Sequence, residues 1–190
     1  KISTRKILYS CFKRNLTNEI KVAQLAGYVS EHSGYHHGEM SLNKGIIGMA
    51  HEFMGSNNIN ALLPLGQFGT RLNGGKDHAS ERYIFTQLNK ITRLIFRKED
   101  DLVLDYLDDD GLPVEPIFYV PIIPMVLVNG SVGIGTGFST NIPCFNPAEI
   151  IQYIKNNNLP DKTNKKVINP DKALKSLLNV KANEEVTYFN

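Results

Sequence analysis

The sequence predicts an α+β fold, and three observations carry the prediction. "RKILYSCFKRN" (5–15), "IKVAQLAGYVSEHS" (20–33) and "SLNKGIIGMAHEF" (41–53) repeat apolar residues at the helical period, the last placing Leu42, Ile46, Met49 and Phe53 on one face. Residues 55–81 then turn to Gly, Asn, Ser and Pro with brief apolar interruptions, the composition of a long loop or hairpin. After an acidic run, "PIFYVPIIPMVLVNG" carries the dense β-branched content of buried strand. Three helices, a hairpin and a further helix outline a winged-helix unit, with a strand-rich segment after it.

The further helix is predicted from Ile84, Leu88, Ile91 and Ile95, which keep the i, i+4, i+7, i+11 spacing of one helical face. Ser80 would cap it and Tyr83 would stand at its entrance, beside Arg82 and a positive helix end that favours an anion. "KEDDLVLDYLDDDG" marks a boundary after Phe96. "FNPAEIIQYIKNNN" predicts a last helix, capped by Asn146 with Pro147 at its first position. The Lys/Asn-rich tail beyond Lys155 receives no role.

The 190 residues are 42% hydrophobic, which suffices for one good core or one domain and part of another. The two cysteines, Cys11 and Cys144, are far apart in sequence, which argues against a disulfide framework and for a reducing compartment. The sequence has no run of about 18 apolar residues and no signal-like start, so a soluble intracellular protein without membrane contact is expected. The formal net charge of +2 conceals an asymmetry. Residues 1–98 hold 14 Lys and Arg against 6 Asp and Glu, whereas residues 99–190 hold 7 against 13. A basic half suits a phosphate-backbone ligand, although an ordinary solvated surface has the same composition.

Three groups of residues could carry chemistry. His32, His36, His37 and Glu39 invite a metal test and fail it, because Ser33 stands where a zinc-protease helix needs Glu, and Gly34 and Gly38 break the helix; no metal ligand is expected in this chain. "NGSVGIGTGFS" (129–139) is a glycine-rich turn that fits neither the dinucleotide nor the P-loop fingerprint. Within it Ile134 either fills core or projects as a wedge between base steps. Tyr83 either packs its ring at a rim or acts as a nucleophile. A phenol is protonated and weak at neutral pH, so the second role needs help from Arg82, Arg5, Lys76 or the histidines.

Read together, "RKILYSCFKRN", "KVAQLAGYVSEHSGYHHGE", "GSNNINALLPLGQFGTRLNGGKD", "RYIFTQLNKITR", "VEPIFYVPIIPMVLVNG" and "GIGTGFSTNIPCFNPAEII" closely resemble the breakage-reunion region of eukaryotic-type type IIA DNA topoisomerases, in order from about Arg5 to Ile154. The resemblance implies a winged-helix DNA-cleavage domain over 1–98, the start of an α/β tower domain over 99–155, and a divergent or truncated tail over 156–190. It implies that Tyr83 attacks a DNA phosphodiester and becomes linked to the 5′ end, with Arg82, Arg5 and His36 at the scissile phosphate. His37, Lys76, Arg71 and Ile134 would contact DNA, Ile134 as the wedge; the adjacent histidines leave His36 and His37 interchangeable.

Mg²⁺ and ATP would be bound outside this chain, by metal-binding and ATPase domains of the same enzyme. The partners would be double-stranded DNA and a second copy of the chain, in the nucleus or another DNA-containing compartment. Ile2 and Glu81 depart from the family pattern, where proline, and proline or alanine, are common; Glu81 adds a negative charge beside Arg82. Two other readings follow from the residues: a winged-helix module that binds DNA without cleaving it when isolated, and a nucleotide-binding protein using the Gly133–Gly137 turn.

Overall fold

A computed structural model describes residues 1–135 and 138–158 of the chain. The three expected helices are present as α1 (Ile2–Lys13), α2 (Val22–Ser33) and α3 (Glu39–Ala50). Each forms because its apolar residues recur on one face: Val22, Leu25, Ala26 and Val29 of α2, and Leu42, Ile46, Ile47 and Ala50 of α3, are all buried. Ile7 and Cys11 of α1 join them, and Leu62, Phe68 and Ile84 close the core from the loop side. Burial pushes the Cys11 thiol up to about 12, so this cysteine packs as a small neutral hydrophobe.

A two-residue strand, β1 (Ile20–Lys21), leads directly into α2 and pairs antiparallel with β2 (Phe85–Thr86). β2 corrects the helix expected from Ile84. Residues alternate there, with Ile84 and Thr86 buried and Phe85 between them half-buried. The backbone pairs with distant chain: Phe85 and Leu65 exchange N–H to carbonyl bonds at 2.9 and 3.0 Å, and Leu63 N–H donates to the Gln87 carbonyl at 2.9 Å. The i, i+4 spacing of Ile84 and Leu88 satisfies a period of 2 as well as one of 3.6, and the sheet partner decides between them. Helical structure returns only as the one-turn α4 (Thr92–Ile95).

The loop at 55–81 is held by side chains, which explains its asparagines. Asn58 Nδ2 donates to the carbonyls of Val128 and Phe145 at 2.7 and 2.8 Å. Asn129 does the same for Ile59, accepting its N–H at 3.0 Å and donating to its carbonyl at 2.8 Å. Buried loop backbone without a ladder needs such partners.

After a 3-10 turn (Lys98–Leu102), the acidic run forms a hairpin that its composition did not predict: β3 (Tyr106–Asp109) and β4 (Leu112–Pro116) are antiparallel. Asp110 and Gly111 connect them with φ of 51° and 85°, the positive values that a two-residue hairpin turn requires and that Asp-Gly tolerates. The hairpin is anchored on α1, where Lys6 Nζ donates to the buried Glu115 carboxylate at 2.8 Å and the Tyr9 hydroxyl donates to the Pro113 carbonyl at 2.8 Å. The β-branched run beyond it is not strand. Pro121 and Pro124 interrupt its donors, and the chain turns before the short helix α5 (Met125–Val128).

The hairpin β5 (Ser131–Gly135) with β6 (Phe138–Ile142) follows, then α6 (Pro147–Asn158), with Pro147 first as expected. Lys1–Pro147 form one compact unit; a second begins at Ala148, and α6 is its described part. Among the described residues no helix is long and apolar enough to cross a membrane. The tail expected at 156–190 lies outside the described residues from residue 159 onward.

Candidate nucleic-acid interface

Tyr83 sits on a short strap, residues 80–84, that crosses the start of α2. Its N–H donates to the Ser80 carbonyl at 2.9 Å in a turn. On either side of it, the Glu81 carbonyl accepts the Ala23 N–H at 3.1 Å and the Ile84 carbonyl accepts the Val22 N–H at 3.0 Å. These are first-turn N–H groups of α2, a helix with no side-chain cap, so the strap itself caps it. The expected arrangement, a helix beginning at Tyr83 with Ser80 as its cap and an anion at its open end, is therefore corrected. What remains is a phenol that is 74% exposed next to an exposed Arg82. Among the described residues neither side chain has a hydrogen-bond or ion-pair partner.

The second feature is the loop 69–79. Asp77 closes it by accepting the Thr70 N–H at 2.8 Å and the Thr70 hydroxyl at 2.7 Å, while Gly75 N–H donates to the Thr70 carbonyl at 2.9 Å. The Thr70 N–H, and after it the hydroxyl, hold the Asp77 carboxyl down to about 2. Gly75, at φ 79°, lies flat against the His51 ring, where a Cβ would collide with the imidazole. Burial lowers the His51 pKa, and Nε2 is enclosed without a partner. The loop thus presents Arg71 and Lys76 outward from a closed frame, with Arg71 Nη1 3.7 Å from Met54 Sδ.

A groove of about 400 Å³ between the start of α1 and the α2–α3 connection is lined by Lys1, Lys6, Tyr35, His36 and His37 among others. His36 is widely exposed, with Nε2 4.0 Å from Asp109 Oδ2; His37 packs edge-on against Tyr35, ring centroids 5.4 Å apart. Lys6 is committed to Glu115 and the Ser33 carbonyl. Arg5 is turned to the 116–124 segment, where Nη1 donates to the Ile117 carbonyl and Nε is buried without a partner. The structure brings His36 and His37 to one groove, Arg82 and Tyr83 to one strap, and Arg71 and Lys76 to one loop. Among the described residues no hydrogen bond or ion pair joins these three groups.

Ile134 lies on β5 opposite Ser139 and is 98% exposed. Of the two fates open to it in the sequence, core is excluded. Sequence reasoning missed Asn43, whose Nδ2 donates to Glu81 Oε1 at 3.3 Å, and Asp109, the carboxylate facing His36. It also placed the Glu81 charge beside Arg82, whereas the carboxylate reaches α3. Only the Asp-Gly pair after Asp109 signalled any of this. Among the described residues no group of three or more His, Cys, Asp or Glu is placed to hold a metal ion.

Residues 1–178 match the family model that describes the A-type chain of DNA gyrase/topoisomerase IV. Probable DNA topoisomerase 2 of Dictyostelium discoideum is 62% identical over 155 residues, covering 82% of this chain and 10% of that protein. DNA topoisomerase 2 of Saccharomyces cerevisiae is 62% identical over 151 residues, covering 80% and 11%. The crystal structure of the Plasmodium falciparum topoisomerase II DNA-binding, cleavage and re-ligation domain superposes with a TM-score of 0.80 at 59% identity, over 82% of this chain and 21% of that one. The chain spans about a tenth of the length of the curated relatives it matches. With the family model matching nearly end to end and the fold shared with that solved domain, this chain belongs to the DNA gyrase/topoisomerase IV family of A-type chains.

Proposed function

We propose that this chain is the DNA-cleaving segment of a type IIA topoisomerase, an ATP-dependent enzyme that breaks and rejoins duplex DNA through a 5′-phosphotyrosyl intermediate. The observation that carries the reading is the strap: a tyrosine and an arginine, adjacent and exposed and without side-chain partners among the described residues, on backbone pinned from both sides. Tyr83 Oη gives up its proton and bonds to phosphorus; the bond to the 3′ oxygen breaks, and that oxygen takes a proton. Reversal restores the DNA without fuel, because one phosphodiester replaces another. Arg82 stabilises charge on the phosphate oxygens. His36 lies at the same phosphate, with His37 as the neighbouring DNA contact, and Arg5 supports the site from α1.

Lys76 and Arg71 hold the flanking backbone, and Ile134 wedges between base pairs. Domain ranges of 1–98 for the winged-helix domain and 99–155 for the start of the tower accompany this reading. In this reading Mg²⁺, which would supply charge neutralisation at phosphate, and ATP would be held by other parts of the enzyme. Two copies act, one per strand, in the nucleus or an organelle that contains DNA. Incubating the complete enzyme with DNA and then denaturing it is expected to leave protein on 5′ ends. Tyr83→Phe is expected to abolish that adduct, and an adduct that survives the substitution would sink the assignment.

A further inference from the structure

The tyrosine that would react is nearly free of the protein, so its position is set by the strap backbone rather than by its own packing. Two of the strap's anchors, the Glu81 and Ile84 carbonyls on α2, are main-chain bonds open to almost any residue type. One anchor depends on side chains. Asn43 lies on the buried face of α3 among Leu42, Ile46, Ile47 and Ala50, and its amide Nδ2 donates to Glu81 Oε1 at 3.3 Å. Its Oδ1 is enclosed without a partner, so the bond to Glu81 is the one hydrogen bond that satisfies this buried side chain among the described residues. An amide in an otherwise apolar face specifies one partner and one geometry, where an aliphatic residue would specify neither.

We propose that Asn43 and Glu81 form a positioning couple that fixes the strap carrying Arg82 and Tyr83. The couple acts twice. It ties the residue two before Tyr83 to α3, which sets where the phenol projects. It also turns the Glu81 carboxylate inward to α3, so that Arg82 keeps an uncommitted guanidinium for phosphate. When the couple is broken, the carboxylate is released next to Arg82, where it competes with phosphate for the same cation and repels the DNA backbone. The inference rests on the reading of Tyr83 as the nucleophile.

The test measures the rate of covalent 5′-adduct formation by the complete enzyme at saturating duplex, together with duplex affinity and melting temperature. Asn43→Leu is expected to slow adduct formation by about tenfold to a hundredfold, the cost of a misplaced reacting group, with affinity changed by less than about threefold. Glu81→Leu, at a half-buried position, is expected to slow it likewise; it leaves the Asn43 amide without its acceptor and lowers the melting temperature, so its rate is read at a temperature where it is folded, and it serves if Asn43→Leu does not fold. Glu81→Gln is expected to cleave like the parent protein, because its amide oxygen accepts the same bond. Parent-like rates in Glu81→Leu, or an equal loss in Glu81→Gln and Glu81→Leu, would overturn the couple. Tyr83→Phe run alongside separates the two claims: an adduct from that variant removes the nucleophile, whereas no adduct leaves it standing whatever the couple does.

Discussion

Thr70 and Asp77 clasp each other across the loop that displays Arg71 and Lys76, through two hydrogen bonds from one residue to one carboxylate, at 2.8 and 2.7 Å. Because the ionised carboxylate accepts both, the clasp depends on charge. The Asp77 carboxyl is held at about 2, below its ordinary value, so its contribution is fully present above the unfolded value and is lost as pH falls through the folded one. The Thr70 amide resonance is expected to keep its position down to about pH 3 and to move with a midpoint of about 2. A midpoint near 4 would mean that the clasp is open in solution.

The basic residues on that loop are expected to act on DNA through phosphate. Arg71→Ala and Lys76→Ala should each weaken duplex binding about equally for all sequences, and each should reduce the slope of log affinity against log salt by about 0.9. Titrations at several salt concentrations decide it. An unchanged slope would take that residue off the DNA.

Ile134 offers a clean separation of stability from function. A core isoleucine cut to alanine costs about 2–5 kcal/mol, but a side chain 98% exposed has little burial to lose. Ile134→Ala is therefore expected to change folding stability by no more than about 0.5 kcal/mol. DNA bending, read by energy transfer across a labelled duplex, should fall in the same variant. Intact bending would leave the exposed isoleucine without this role.

His51 supports the loop from below and carries a pH dependence of opposite origin to Asp77. Burial lowers its pKa; the Phe68 backbone bond and Asp77 oppose that shift, and His78 adds to it. The unfolded chain therefore binds a proton that the folded chain resists. Stability from this group is fully present above the unfolded value of about 6.5 and declines as pH falls from there towards the folded value. Denaturant melts at pH 7.5 and pH 5.5 are expected to differ in the parent protein and to differ less in His51→Gln. Equal pH sensitivity in both would assign the effect to other groups.

The helices α1 to α3 were legible because each is long enough for its 3.6-residue repeat to be unambiguous; in α3 Leu42 and Ile46 are buried as the periodicity named, whereas Met49 is half-buried and the helix ends at Ala50, short of Phe53. The long polar loop was legible too, as was Pro147 at the head of α6. The hairpin of β3 and β4 was not, because its charged strands mask the pattern and only Asp110-Gly111 betrays the turn. The run from Ile117 to Asn129 misled in the other direction: β-branched residues suggested strand, and Pro121 and Pro124 prevented it.

By itself the sequence determined the three-helix core, the charge asymmetry between its halves, the pairing of Arg82 with Tyr83, and a family resemblance that the comparisons uphold. These depend on composition, local period and neighbouring residues, which a linear reading contains. Tertiary structure alone decided that the chain after Ile84 pairs as a strand, that α2 is capped by carbonyls about sixty residues away in sequence, and that Ile134 is solvent-facing. It also decided that Glu81 reaches Asn43 instead of flanking Arg82 with its charge. The reason is common to all four. A period of 2 and one of 3.6 agree at i+4, and a carbonyl, a carboxylate or an isoleucine takes its role from the partner it meets across the fold, which local spacing does not encode.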